Sequence, residues 1–156
     1  MRIPKPNNRS AALLATGCVW LAALPVAYVA VNWIDIRLAV KLFWIDCLVL
    51  LIIAPCLEEL VFRLGLQQPL CAYLHHHLKP PLSDRTAVAL SIAIAALAFG
   101  LAHAFRLGGI FNLQWLVWCI PGIALALVWH WHGSVSTNIA THAWFNLALL
   151  AVDRLS

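Results

Sequence analysis

Residues 47–66 read CLVLLIIAPCLEELVFRLGL, an apolar run into which Glu58, Glu59 and Arg63 are set. These two glutamates are the only ones in the 156-residue chain. A run of ~20 apolar residues matches the hydrocarbon thickness of a bilayer. Composition agrees: 63% of residues are hydrophobic and 10% charged, with a mean hydropathy of +0.88, whereas soluble domains carry about 25% charged residues. An ordinary soluble globule is excluded. Within hydrocarbon an ionisable side chain costs at least ~2.5 kcal/mol, so Glu58, Glu59 and Arg63 are functional candidates.

Further apolar runs lie on both sides of this stretch. Arg2, Lys5 and Arg9 mark a basic tail over residues 1–10, similar to the n-region of a signal peptide, but the apolar run at 11–34 is too long for an h-region and reads as a first span. Asp35, Arg37 and Lys41 break the pattern before 42–57, and apolar character resumes after Arg63 up to Leu74. A polar linker follows, from His75, His76 and His77 through Lys79, Pro80, Pro81 and Asp84 to Arg85, since paired prolines cannot continue a helix. Two more runs, 86–105 and 110–129, are separated by Arg106, Gly108 and Gly109, and the last, 135–152, follows a turn at 130–134. The expected fold is all-α, a polytopic membrane helical bundle with about five transmembrane helices, residues 11–156 forming one domain.

Ala96 with Gly100, and Gly122 with Ala126, are spaced for close helix approach. Trp115, Trp118, Trp129 and Trp131 read as interfacial or lipid-facing aromatics, and His130 and His132 as interfacial. The net charge of +4 is spread through termini and turns, which argues against nucleic acid as a partner. The basic side chains Arg2, Lys5, Arg9, Lys79 and Arg85 outnumber Arg37, Lys41, Arg106 and Arg154 by one, favouring a cytoplasmic N-terminus. Cys18, Cys47, Cys56, Cys71 and Cys119 form no CxxC pair and read as small hydrophobes. His75 to His77 read as solvated rather than metal-binding.

The chemistry lies in the polar residues that interrupt the spans. Glu59 and Arg63 are four apart, neighbours on a helix in the favourable acid-before-base order. Glu58 is turned ~100° away, its i+3 and i+4 positions are Val61 and Phe62, and an unpaired buried carboxylate is a candidate general base. The bland alternative is a structural charge cluster at the membrane surface. His103 sits in LAFGLAHAF, one turn after Phe99, and His142 lies between Asn138 and Asn146 on one helix face. Such groups on separate helices are costly unless they converge. Together they offer a base, imidazoles to hold water and an amide for an oxyanion, the inventory for amide hydrolysis without a Ser or Cys nucleophile. Glu58, His103 and His142 also match a two-His, one-carboxylate zinc set, although no HExxH is present, and residue types do not separate the two. Depth adds a constraint. A Glu-bearing helix over 45–66 would set Glu58 ~20 Å from the outer face and His103 ~6 Å from it. The spacing therefore predicts a helix from about Pro55 to Leu74, set off from the preceding segment by a bend.

EELVFR at 58–63, FGLAH at 99–103 and HAWFN at 142–146 follow one another in an order and spacing that resemble the CAAX protease and bacteriocin-processing family of intramembrane glutamate endopeptidases. The resemblance implies an all-helical membrane bundle whose catalytic cavity opens within the bilayer. It implies Glu58 as general base, His103 as a residue that binds or activates the water, and His142 and Asn146 as groups that orient the water and stabilise the oxyanion. Glu59 with Arg63 would be a structural pair, with Phe99 in support, and no cofactor would be needed. The implied partners are the lipid bilayer and a membrane-anchored or lipid-modified protein or peptide, cut near its C-terminal tail, in the bacterial inner membrane. Eukaryotic CAAX endopeptidases are about twice as long, so this chain resembles a minimal core of the short bacterial type. A sorting-tail substrate is therefore at least as consistent as a prenylated one. A noncatalytic immunity or scaffold protein offers the same polar stripe, as does a small transporter, although no internal repeat supports the latter. Sequence sets neither the face from which substrate enters nor the oligomeric state.

Overall fold

A computed structural model describes residues 9–34, 43–104, 109–111 and 113–156. The basic tail, apart from Arg9 and Ser10, and the breaks at Asp35, Arg37, Lys41 and Arg106 lie outside the described residues. Among the described residues, five helical elements make up the fold. They are α1 (Arg9–Asn32), α2 (residues 43–76), α3 (Asp84–Ala104), α4 (Cys119–His132, entered through a 3₁₀ turn at Leu113–Trp118) and α5 (Val135–Leu155). No strand occurs among the described residues. The chain is an all-α membrane bundle. Arg9–Asn32, Asp84–Ala104 and Leu113–His132 are long and apolar enough to cross a membrane by length and composition. The remaining helices, α2 and α5, carry most of the polar side chains of the site.

The helix ends at His76, close to the expected Leu74, but it does not begin near Pro55. Helical backbone runs from Phe43 to His76, and the residues joining its segments, Leu48, Ile53, Glu59 and Gln67, are all right-handed helical. Proline is tolerated here because α2 widens into π turns at Val49–Ile53 and Leu60–Gln67, each followed by a proline (Pro55, Pro69) in the first turn of the next α segment. In an ordinary α-helix the proline ring strikes the carbonyl four residues back; the i→i+5 register of a π turn relieves that crowding. The Ala54 N–H bonds to Val49 O in this register. Pro55, next in line, has no hydrogen for Leu50 O, and the Asn146 side-chain amide donates to that carbonyl instead, at 2.7 Å. The depth argument holds for the far end, since the helix runs on past Leu66 to His76, and fails for the start, since α2 begins at Phe43 and Glu58 and His103 still meet.

α1 lies alongside α5. The Trp20 ring N–H donates to Thr141 Oγ1 at 3.0 Å, the Trp144 ring N–H donates to Trp20 O at 2.9 Å, and the two indoles stack. Below them Ala23, Ala27, Ala30 and Val31 pack on Phe145, Ala148 and Leu149. The small residues between α3 and α4 act as their spacing suggested. A Cβ on Gly122 would lie 3.1 Å from Ala96 O, and one on Gly100 would lie 2.5 Å from Cys119 Sγ and 3.1 Å from Trp115 O. α4 ends at Gly133, whose positive φ of 56° closes the helix through its N–H to Trp129 O, after which Ser134 caps α5 by accepting from the Thr137 N–H. The tryptophan reading needs correction: Trp129 is buried, and Trp118 stacks on His103 rather than facing lipid. His132 pairs with Thr16 Oγ1 at 2.8 Å, so it ties α4 to α1.

Candidate active site

α2, α3 and α5 bring their polar residues to one place. On α2, Glu59 lies wholly buried and Glu58, one residue earlier, has a side chain 20% exposed. That difference follows from the ~100° step between successive helical residues. Glu59 turns into the bundle and accepts three hydrogen bonds: from Arg63 Nε (2.9 Å) and Asn138 Nδ2 (2.6 Å) at Oε2, and from His142 Nδ1 (2.9 Å) at Oε1. The Glu59 and Arg63 side chains are both fully buried, so neutralisation within the pair is what makes either charge tolerable there. Arg63 reaches on to Gln67 Oε1 (3.3 Å) and Gly122 O (3.4 Å), and Gln67 donates to Ala126 O (3.0 Å). Asn138 also donates to Leu125 O at 3.0 Å, so two helices are fixed to α4 by their buried polar side chains.

Glu58 faces the other way. Its Oε2 is buried with no hydrogen-bond partner among the described residues, 3.6 Å from His142 Nε2 and 4.0 Å from His103 Nε2. The far nitrogen of each ring is already engaged. His103 Nδ1 lies 2.9 Å from Phe99 O, which only accepts, so Nδ1 carries the hydrogen. His142 Nδ1 carries one for the same reason, against the Glu59 carboxylate. In the neutral rings both Nε2 atoms therefore turn a lone pair toward Glu58, and they become donors only as imidazolium. Three acceptors around one point suit a water that donates to two of them while its oxygen lone pairs remain available. Phe99 braces the arrangement, its ring 4.7 Å from His103 and 5.6 Å from His142, with Phe62 behind it and Trp118 stacked on the opposite side of His103 at 4.7 Å.

The sequence-derived residues thus fall into three groups. Glu58, His103 and His142 converge; Glu59, Arg63 and Phe99 support them; Asn146 lies one turn beyond His142 with its amide on Leu50 O. Sequence reasoning missed the connection between Glu59 and His142, the anchoring role of Asn138, and Gln67 altogether, and it took Trp118 for an interfacial aromatic rather than a partner of His103. Gln67 had a signal, because Glu59, Arg63 and Gln67 recur at intervals of four along one helix face. No group of three or more His, Cys, Asp or Glu side chains among the described residues is arranged to hold a metal ion.

The family of type II CAAX prenyl endopeptidases described as Rce1-like matches residues 40–148, more than half of the chain and a segment that contains Glu58, His103, His142 and Asn146. Comparison with curated proteins and with solved structures finds no match.

Proposed function

The chain belongs to the Rce1-like family of CAAX-type membrane proteases, and from that premise we propose that it hydrolyses a peptide bond near the C-terminal tail of a membrane-anchored protein with a water activated by Glu58, without a cofactor. The observation that carries this reading is the buried, unpartnered Glu58 Oε2 between two imidazole Nε2 atoms. A water bound there is within reach of a base, which fits the geometric requirement for general base catalysis. Glu58 takes one proton from the water as its oxygen attacks the scissile carbonyl, and the carbonyl π electrons move onto oxygen. The resulting oxyanion is met by the Nε2–H of His142, which enters the reaction already protonated as imidazolium with the Glu59 carboxylate behind Nδ1 supporting its charge, while neutral His103 accepts the water's other hydrogen. Collapse of the tetrahedral intermediate breaks the C–N bond, and Glu58 returns its proton to the leaving amine. In this reading His103 holds the water, Glu59 and Asn138 orient His142, and Asn146 contributes to the same wall. The setting is the bacterial inner membrane.

The test is cleavage of membrane-anchored C-terminal tails, prenylated and unprenylated, by purified wild type and Glu58→Gln, with and without chelator. Expected are cleavage that survives chelation and a loss of at least ~10³-fold in Glu58→Gln, within the range for a general base, with unchanged thermal unfolding. Chelator-sensitive cleavage would transfer water activation to a metal. Full activity in Glu58→Gln would refute the assignment.

A further inference from the structure

A narrow pocket, nearly half open to the outside and with about 450 Å³ of empty space that includes open solvent, lies against the site. His142 and Asn146 line its polar end; apart from these and the Trp118 indole N–H its lining is apolar, with Val26 and Ala27 of α1 facing Phe145 and Leu149 of α5. Glu58 and His103 are not in its lining, so the cavity lies beside the water position rather than around it. A peptide bond held at Glu58 and His142 would direct a neighbouring side chain into that space. α1 begins and ends before residue 40, outside the matched family segment. It is nonetheless fixed rigidly to α5 by the Trp20–Thr141 and Trp144–Trp20 hydrogen bonds.

We propose that α1 forms one wall of a subsite that accepts an apolar side chain of the substrate beside the bond to be cut, and that Val26 and Ala27 set the largest side chain admitted. The inference rests on the endopeptidase reading. Its occupant follows from the lining: alanines on the α1 wall leave room, apolar walls reject charge, and the polar groups are His142 and Asn146, which face the chemistry, and the indole N–H of Trp118, buried without a hydrogen-bond partner among the described residues. Ala27 is almost fully buried, so enlarging it puts the fold at risk, whereas Val26 is half-buried and tolerates change in either direction.

The test uses the full chain in detergent or bilayers with tails that wild type cleaves, identical except for Ala, Leu or Phe at the position flanking the scissile bond. Val26→Trp should lower kcat/KM for the Phe tail relative to the Ala tail by about 10–200-fold, the scale on which an apolar pocket discriminates size. Val26→Ala should shift the ratio the other way. If Val26→Trp cleaves nothing, the direction of the Val26→Ala shift decides. An unchanged ratio in both variants overturns the subsite and leaves the cavity to a lipid chain, while the endopeptidase reading stands. Failure of wild type on every tail overturns that reading, and the inference with it.

Discussion

Glu59→Gln isolates the link between the buried charge network and the reacting groups. An amide presents one acceptor oxygen where the carboxylate presents two. Placed at the Oε2 position, that oxygen still serves Arg63 and Asn138, but the NH₂ then meets His142 Nδ1, donor against donor at 2.9 Å. The ring escapes this conflict by moving its hydrogen to Nε2, which reverses its role toward Glu58. The Arg63 cation also loses its counter-charge at a fully buried position, and its remaining acceptors, at 3.3 and 3.4 Å, are long. Breaking a buried pair in this way costs ~3–5 kcal/mol, and the weak residual contacts place this case in the upper half of that range. Loss of the carboxylate that supports the His142 imidazolium as it meets the oxyanion should lower kcat by roughly 10²–10⁴-fold, the span between loss of one oxyanion donor and loss of a carboxylate behind a catalytic imidazole. The two effects separate in the double variant Glu59→Gln/Arg63→Gln, which leaves no unpaired buried charge. Thermal unfolding in detergent should recover by more than half, while tail cleavage stays low. Cleavage by Glu59→Gln within about threefold of wild type would refute the reasoning, because both single effects exceed that factor.

Two further outcomes follow from packing and backbone accounting. Gly100→Val should destabilise by about 1–3 kcal/mol, as overpacking does, since its side chain meets the α4 backbone and Cys119 Sγ; Gly65→Ala, whose Cβ meets only Leu60 O at an ordinary 3.5 Å, should stabilise by about 0.5–1 kcal/mol, and comparing the two in one unfolding assay checks the contrast. Asn146→Leu leaves Leu50 O without its donor and should cost about 1–3 kcal/mol; adding Pro55→Ala returns a backbone N–H in the π register and should restore the unfolding midpoint without restoring cleavage, if Asn146 also serves the reaction.

The helices were legible because apolar runs of bilayer length leave few alternatives, and the 86–105 and 135–152 readings fall within a few residues of α3 and α5. The Glu59–Arg63 pair was legible too, since i,i+4 proximity is a property of one helix. What the sequence withheld was lateral: which residue on a neighbouring helix meets a given face. Asn138, His142 and Asn146 were visible as one stripe on α5, yet α2 divides that stripe. Asn138 and His142 Nδ1 go to Glu59, His142 Nε2 turns toward Glu58, and Asn146 goes to a backbone carbonyl. The tryptophans misled for the same reason, because a ring near a helix end stacks on whichever neighbour is there, and for Trp118 that neighbour is His103.

Pro55 shows how a misread breaker and the site are connected. A proline inside an apolar run ordinarily ends or kinks the helix, and the depth of Glu58 made a break at this point attractive. The structure keeps the helix and widens it, so the unmet hydrogen bond moves to Leu50 O, where Asn146 from α5 supplies the donor. That bond sets the axial register of α5 against α2, and His142 is one turn away from Asn146 on the same face. A one-turn slip of α5 would carry His142 ~5.4 Å along the axis, beyond reach of both glutamates. Proline and Asn146 therefore act together as a register lock for His142, which gives Asn146 a structural role whether or not its second amide hydrogen also meets an oxyanion.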